Sequence, residues 1–181
     1  MAERGAYTYE YPRPMLTVDA VVFCLRESRL HVLLIERGHP PFQGMWALPG
    51  GFVEMDEPLE MAVARELAEE TSVEGVRLTQ FGAFGDVGRD PRGRVVTIGY
   101  LGVAAPGAHA PRGDDDAAAA DWLAVADLPQ LASDHGHVIA EAVRRLYHLL
   151  RLYGDDLELL PSGVSAMDLA RALAEPPTHH E

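Results

Sequence analysis

The sequence predicts one α/β domain, a sandwich with a mixed β-sheet between helices. Three observations predict it. Short β-rich runs alternate with turn residues, two amphipathic helical segments fall between and after them, and a chain of 181 residues that is 48% hydrophobic suits one core. Its 15 basic residues, all arginine, stand against 28 Asp and Glu, a formal charge of -13. Such a field repels a nucleic-acid backbone, so no nucleic-acid partner is expected, and it suits a protein that collects divalent cations. Arginine as the sole basic residue, with abundant alanine and glycine, points to a GC-rich bacterial genome.

Residues 1–15 read as an N-terminal arm, 16–154 as the main domain and 155–181 as a short C-terminal helical tail. Leu16 to Leu25 and Arg29 to Arg37 are apolar, β-branched runs separated by "RES", a hairpin of two core strands. Pro40, Pro41 and Gly44 then break the chain into a loop, and "MWALPGG" returns as one short strand ending in a glycine pair. Pro58 opens a helical pattern that holds as far as Glu70. Residues 75–84 and 94–104 are strand candidates able to pair antiparallel. The low-complexity stretch over 105–121 reads as a loop, with a short strand resuming at Trp122.

Val138, Ala142, Leu146, Leu149 and Leu150 recur at helical spacing, so 135–154 forms a long helix packing on the sheet, and a last short helix is expected from near Ser165. Cys24 is the single cysteine and sits in an apolar run, which excludes a disulfide framework and a thiolate metal cluster. No apolar run reaches the roughly 18 residues of a spanning helix, and the start of the chain lacks the form of an export signal. A cytoplasmic protein without a membrane partner is the expectation.

The helix after Pro58 places acid where apolar residues belong. With Leu59 at zero and about 100° per residue, Ala62, Val63 and Leu67 define an inward stripe. Glu66 then falls near about -20° and Glu70 near about +20°, inside the stripe, with Glu69 on its margin. A solvated helix face, with Arg65 and Glu69 paired at i,i+4, is the alternative. It would diverge from the leucine stripe instead of continuing it. Burying unpaired carboxylates costs several kcal/mol each, and one arginine cannot neutralise three. Glutamates without histidine or cysteine suit a hard cation, Mg²⁺ or Mn²⁺. Gly50 and Gly51 precede the helix, where bare backbone can approach an ion or phosphate.

Gly51, five residues, Glu57, seven residues and then "RELAEETSV" resemble the Nudix box, G-x5-E-x7-R-E-U-x-E-E-x-G-U with U apolar. Ser72 stands where the pattern has its last glycine, which puts the end of the helix in doubt but not the acids. The resemblance implies a Nudix-type α/β/α sandwich and metal-dependent hydrolysis of a nucleoside diphosphate linked to another group. It implies Mg²⁺, or Mn²⁺, held by Glu66, Glu69, Glu70 and the Gly50 carbonyl, with Glu57 paired to Arg65. The family does not fix its general base; Glu69 is the first choice, and Asp114, Asp115 or Asp116 of the later loop is the other.

Over about residues 16–150 the chain resembles the ADP-ribose pyrophosphatase-like branch, which implies hydrolysis of ADP-ribose to AMP and ribose 5-phosphate. A proline that many of those hydrolases carry sixteen residues beyond the box is not matched; Pro91 lies two positions later. NDP-sugars, dinucleoside polyphosphates and oxidised dNTPs are the other substrates considered. Arg37, Arg89, Arg92 and Arg94 are the arginines placed to meet phosphate, or else surface turns, and Trp46 and Phe84 are aromatics able to stack a base, or else core. The same branch resembles Nudix transcriptional regulators that sense ADP-ribose, the non-catalytic alternative. The residues after Leu150 are too few for a winged helix and carry two arginines against six acids. Related hydrolases are often dimers, so a homodimer is implied.

Overall fold

The computed structural model describes residues 9–108 and 117–174. Asp114 to Asp116 lie outside the described residues. The elements are β1 (Met15–Arg26), β2 (Arg29–Arg37), β3 (Trp46–Ala47), β4 (Gly50–Phe52), α1 (Leu59–Thr71), β5 (Leu78–Phe84), β6 (Val95–Val103), β7 (Ala117–Ala124), α2 (His135–Tyr153) and α3 (Ala166–Ala174). The sheet runs β3-β2-β1-β6-β5, with β4 also on β1 and β7 also on β2. β1 and β6 are parallel and the other pairs antiparallel, so the sheet is mixed as expected.

The β1–β2 hairpin closes through Glu27 and Ser28, both at positive φ (50° and 62°). That is the backbone a two-residue hairpin turn requires, adopted here without glycine or asparagine. Alternation along β1 then feeds two cores. Val18, Ala20, Val22 and Cys24 pack with Ala62, Val63 and Leu67 of α1. Val21 and Phe23 pack with Val138, Ile139, Ala142 and Leu146 of α2. Period 2 in the strand and period 3.6 in the helices produce the three layers. Burial pushes the Cys24 thiol up to about 11, as befits an inert core cysteine.

Three boundaries differ from the sequence reading. "MWALPGG" forms two strands, β3 and β4, because β3 pairs with β2 whereas β4 pairs with β1. The strand expected from residue 75 begins at Leu78. β7 begins at Ala117, inside the stretch read as loop, since the alanines align with β2 from Arg37↔Ala117 to His31↔Ala124. Pairing partners there override weak β-propensity.

The described part of the segment set apart as a tail, residues 155–174, packs into the α2 core. Leu157, Leu159, Val164, Leu169 and Ala172 are buried there. Ser165 caps the start of α3, accepting the Asp168 N–H at 3.1 Å, while Asp155 accepts the Ala166 N–H at 2.7 Å. Among the described residues, no helix is long and apolar enough to cross a membrane.

Candidate active site

α1 starts where Pro58, in extended backbone, offers its carbonyl to the Met61 and Ala62 amides, both at 3.0 Å. It presents Ala62, Val63 and Leu67 to the sheet, and Glu70 is buried with them. The acid falls inside the apolar stripe, as the periodicity required. The carboxylate of Glu70 accepts the Gly50 N–H at 2.8 Å. Burial pushes Glu70 up to about 8; the Gly50 amide opposes the shift, and Glu66 and Asp19 add to it.

Arg65 gathers the other acids. Its fork meets Glu57 at 2.7 and 3.1 Å, one arm reaches Glu66 at 2.8 Å and Glu69 at 3.1 Å, and the other reaches the Phe52 carbonyl at 3.3 Å. The Arg65 hydrogen bonds hold Glu57 below the usual carboxylate range, while burial pushes Glu66 above it despite the same arginine. One cation thus serves three glutamates and leaves Glu70 on a backbone amide.

The glycine pair is needed for want of room. A Cβ on Gly51 would meet the Glu66 carboxyl group at 2.4 to 2.6 Å, and one on Gly50 would meet the Val18 carbonyl at 2.1 Å. Among the described residues, no three His, Cys, Asp or Glu side chains converge as a ready metal cage. Arg65 draws Glu66 and Glu69 to itself, and the Gly50 amide draws Glu70. The donor set still fits a hard cation. Its oxygens are carboxylate and carbonyl, and among the described residues no cationic side chain is bonded to the buried Glu70 carboxylate.

Two adjoining cavities share Arg37, Gly50, Gly51, Phe52 and Arg92. The larger, about 430 Å³, opens toward Glu66 and Glu70; the smaller, about 60 Å³, lies on the α2 side among Thr17, Asp19, Thr97, Arg89 and His135. Arg37 is braced by its Nε on the Pro41 carbonyl at 2.8 Å. Arg92 bonds both Asp90 oxygens, and its guanidinium lies 4.9 Å from the centroid of the Phe52 ring.

The remaining sequence candidates divide. Arg89 borders the small cavity, but its fork is closed on Asp134 at 2.6 and 2.9 Å and its side chain is 5% exposed. It braces the cavity wall rather than offering a free phosphate fork. Arg94 lines neither cavity and meets the Val95 carbonyl at 3.4 Å. Trp46 packs against the α2-side core. Phe84 packs there too, beside Phe81 and the His137 ring, and both Phe rings lie over Gly99, where a Cβ would come within 2.7 to 2.9 Å. The exposed aromatic at the cleft is Phe52, which the sequence reading passed over.

Asp19 and His135 were missed as well. The His135 Nδ1 accepts the Leu48 N–H at 2.8 Å, so the ring proton sits on Nε2. Burial lowers its pKa and keeps the ring neutral. The available signals were a lone acid inside the apolar run "LTVDAVVF" and a histidine at the first position of a helix.

Fold and cleft together define the class, an α/β/α sandwich whose acid-bearing helix packs on a glycine pair. The NUDIX domain model matches residues 15–144, and the chain belongs to the Nudix family. It is 38% identical over 134 residues to the ADP-ribose pyrophosphatase of Methanocaldococcus jannaschii, covering 74% of this chain and 76% of that one. It is 33% identical over 156 residues to the ADPR responsive transcriptional repressor NtrR of Acinetobacter baylyi, covering 84% of this chain but 62% of the repressor. The chain therefore spans less than two thirds of that relative. Among solved structures, the NUDIX domain of Shewanella oneidensis NrtR complexed with ADP ribose superposes with a TM-score of 0.70 at 37% identity, covering 78% of this chain and 94% of that one.

Proposed function

We propose that the chain hydrolyses the pyrophosphate of a nucleoside diphosphate joined to a second group, with ADP-ribose and water giving AMP and ribose 5-phosphate. The observation that carries this reading is the buried Glu70 carboxylate bound to Gly50, beside Glu66 and at the mouth of a cleft bearing Arg37 and Arg92. The pyrophosphatase relative and the ADP-ribose-bound neighbour support the substrate.

Glu66, Glu69, Glu70 and the Gly50 carbonyl would hold Mg²⁺ or Mn²⁺, which when bound supplies charge neutralisation at phosphate and a lowered pKa for the attacking water. The chain's own residues do the rest. The Gly50 amide fixes Glu70, and Arg65 fixes Glu66 and Glu69 while tying α1 to Glu57 and the Phe52 carbonyl. Arg37 and Arg92 face the shared cleft, where guanidinium groups can meet the diphosphate oxygens. Glu69, its side chain 49% exposed and bonded to Arg65, would take the proton of the attacking water. An acid among Asp114 to Asp116 is the alternative base. As oxygen attacks one phosphorus, the bridging P–O bond breaks and the second phosphate leaves with the bridging oxygen.

The test is turnover with Mg²⁺ of ADP-ribose, NADH, diadenosine polyphosphates, 8-oxo-dGTP and NDP-sugars. Hydrolysis of none refutes the enzyme. Glu70→Gln should remove most activity and keep the fold; a fully active variant refutes the metal assignment.

The NtrR relative favours a second reading, an ADP-ribose sensor. It requires ADP-ribose binding without turnover, and retention of duplex DNA at physiological salt would give it a nucleic-acid partner against the charge of -13. A homodimer is part of the first reading, and the mass from light scattering decides it.

A further inference from the structure

The small cavity on the α2 side holds a feature that the pyrophosphate chemistry does not use. Asp19 lies on β1 opposite Gly50, is 6% exposed, and its Oδ2 has no hydrogen-bond partner. Buried carboxylate oxygens are nearly always paired, so an unbonded carboxylate in a cavity wall marks a position that a ligand completes. The neighbours say what kind of ligand. The hydroxyls of Thr17 and Thr97 are engaged with each other. Arg37, Arg89 and Arg92 border the same space. Arg89 is closed on Asp134 and Arg92 on Asp90, which among the described residues leaves Arg37, held through Nε alone, as the guanidinium with N–H groups open to an anion. A carboxylate, however, can only accept hydrogen bonds. A ligand that satisfies both carries phosphate for Arg37 and a neutral hydroxyl for Asp19, as a sugar phosphate does. At about 60 Å³ the space is too narrow for a purine ring and takes the hydroxyl-bearing edge of a sugar.

We infer that Asp19 is a specificity-determining residue that accepts a hydroxyl of the distal ribose, the sugar on the phosphate remote from adenosine. This rests on the hydrolase reading above and extends it, since it assigns the two sides of the cleft. The diphosphate crosses Gly50 and Gly51, and the distal sugar turns into the α2-side cavity beneath Arg37. His135, neutral and carrying its proton on Nε2, stands beside the same cavity as a donor that complements the acceptor Asp19.

Calorimetry in chelator separates this from a structural role, using ADP-ribose and ADP, which share everything but the distal sugar. Asp19→Ala and the near-isosteric Asp19→Asn should weaken ADP-ribose about tenfold or more and change ADP less than twofold, because a hydrogen bond to a charged group carries roughly that discrimination. Melting temperatures of both variants should equal or exceed wild type, since each removes an unpaired buried charge. Equal weakening of ADP and ADP-ribose, or an unchanged ADP-ribose affinity, overturns the assignment and leaves the hydrolase reading standing. A wild type that binds no ADP-ribose overturns the substrate and the assignment together. If Asp19→Ala does not fold, Asp19→Asn decides alone.

Discussion

The Gly50 amide and the Glu70 carboxylate meet at 2.8 Å across the seam between β4 and α1. This single contact joins the glycine pair to the helix that carries the acids, and it buries a carboxylate whose nearest charged neighbours include two further acids, Glu66 and Asp19.

A pH dependence follows for the protein in chelator. The folded state raises Glu70 from 4.5 to about 8, so it favours the protonated acid. The resulting stability is full below about pH 4.5 and is lost as pH rises toward 8, by on the order of a few kcal/mol. His135, lowered by burial, acts oppositely and destabilises as pH falls below its ordinary value. Comparing melts of wild type with Glu70→Gln from pH 5 to 8.5 cancels the histidine. The variant should gain on wild type steadily across that range, and parallel curves would count against the Glu70 environment described here.

Two adjacent alanine substitutions should behave differently. Gly51→Ala pushes against the carboxyl end of the Glu66 side chain and not against backbone, so the fold should persist while turnover falls by about tenfold or more, since small displacements of a positioned group are expensive in rate. Gly50→Ala pushes against the Val18 backbone and should fail to fold or lose several kcal/mol. Circular dichroism and turnover, measured on both, check the contrast.

Arg89→Ala removes one partner of a part-buried, two-bonded ion pair and leaves Asp134 without its cation, which should destabilise by about 1–3 kcal/mol in urea unfolding. Arg94→Ala, at an exposed position, should stay within about 0.5 kcal/mol. Equal losses for the two would contradict the division made between them.

Ser72 closes α1 in the left-handed conformation, φ 58° and ψ 17°, with its amide on the Ala68 carbonyl at 2.8 Å. The serine therefore does end the helix, in a conformation that favours glycine. Ser72→Gly should stabilise by up to about 1 kcal/mol, read as a rise in melting temperature.

The acids of α1 were legible because a helix converts spacing into direction, and five constrained positions between Gly51 and Glu70 leave little freedom. Trp46 and Phe84 were not, because alternation says that a strand residue faces one side or the other without saying which side is core. Phe84 lies over Gly99, a residue distant in sequence. β7 was read five residues short because four alanines and Asp121 carry no strand signal until Arg37 and its neighbours pair with them. Asp19 was invisible for a related reason. A lone acid in an apolar strand acquires meaning only when Gly50, His135 and Arg37 gather around it from three other parts of the chain.

The parallel pairing of β1 with β6 sets an order in time. Thr17 and Thr97, bonded across that pair, are 80 residues apart, and α1 ends at Thr71, before β6 begins. At roughly 5–20 residues per second, synthesis leaves the glutamate helix without its finished sheet for seconds. During that interval the apolar stripe of α1 can rest on β1 but lacks Tyr100 of β6 and Trp122 of β7, which complete the same core. Slow closure of such distant partners makes this the stage at which chaperone capture or aggregation competes most with folding.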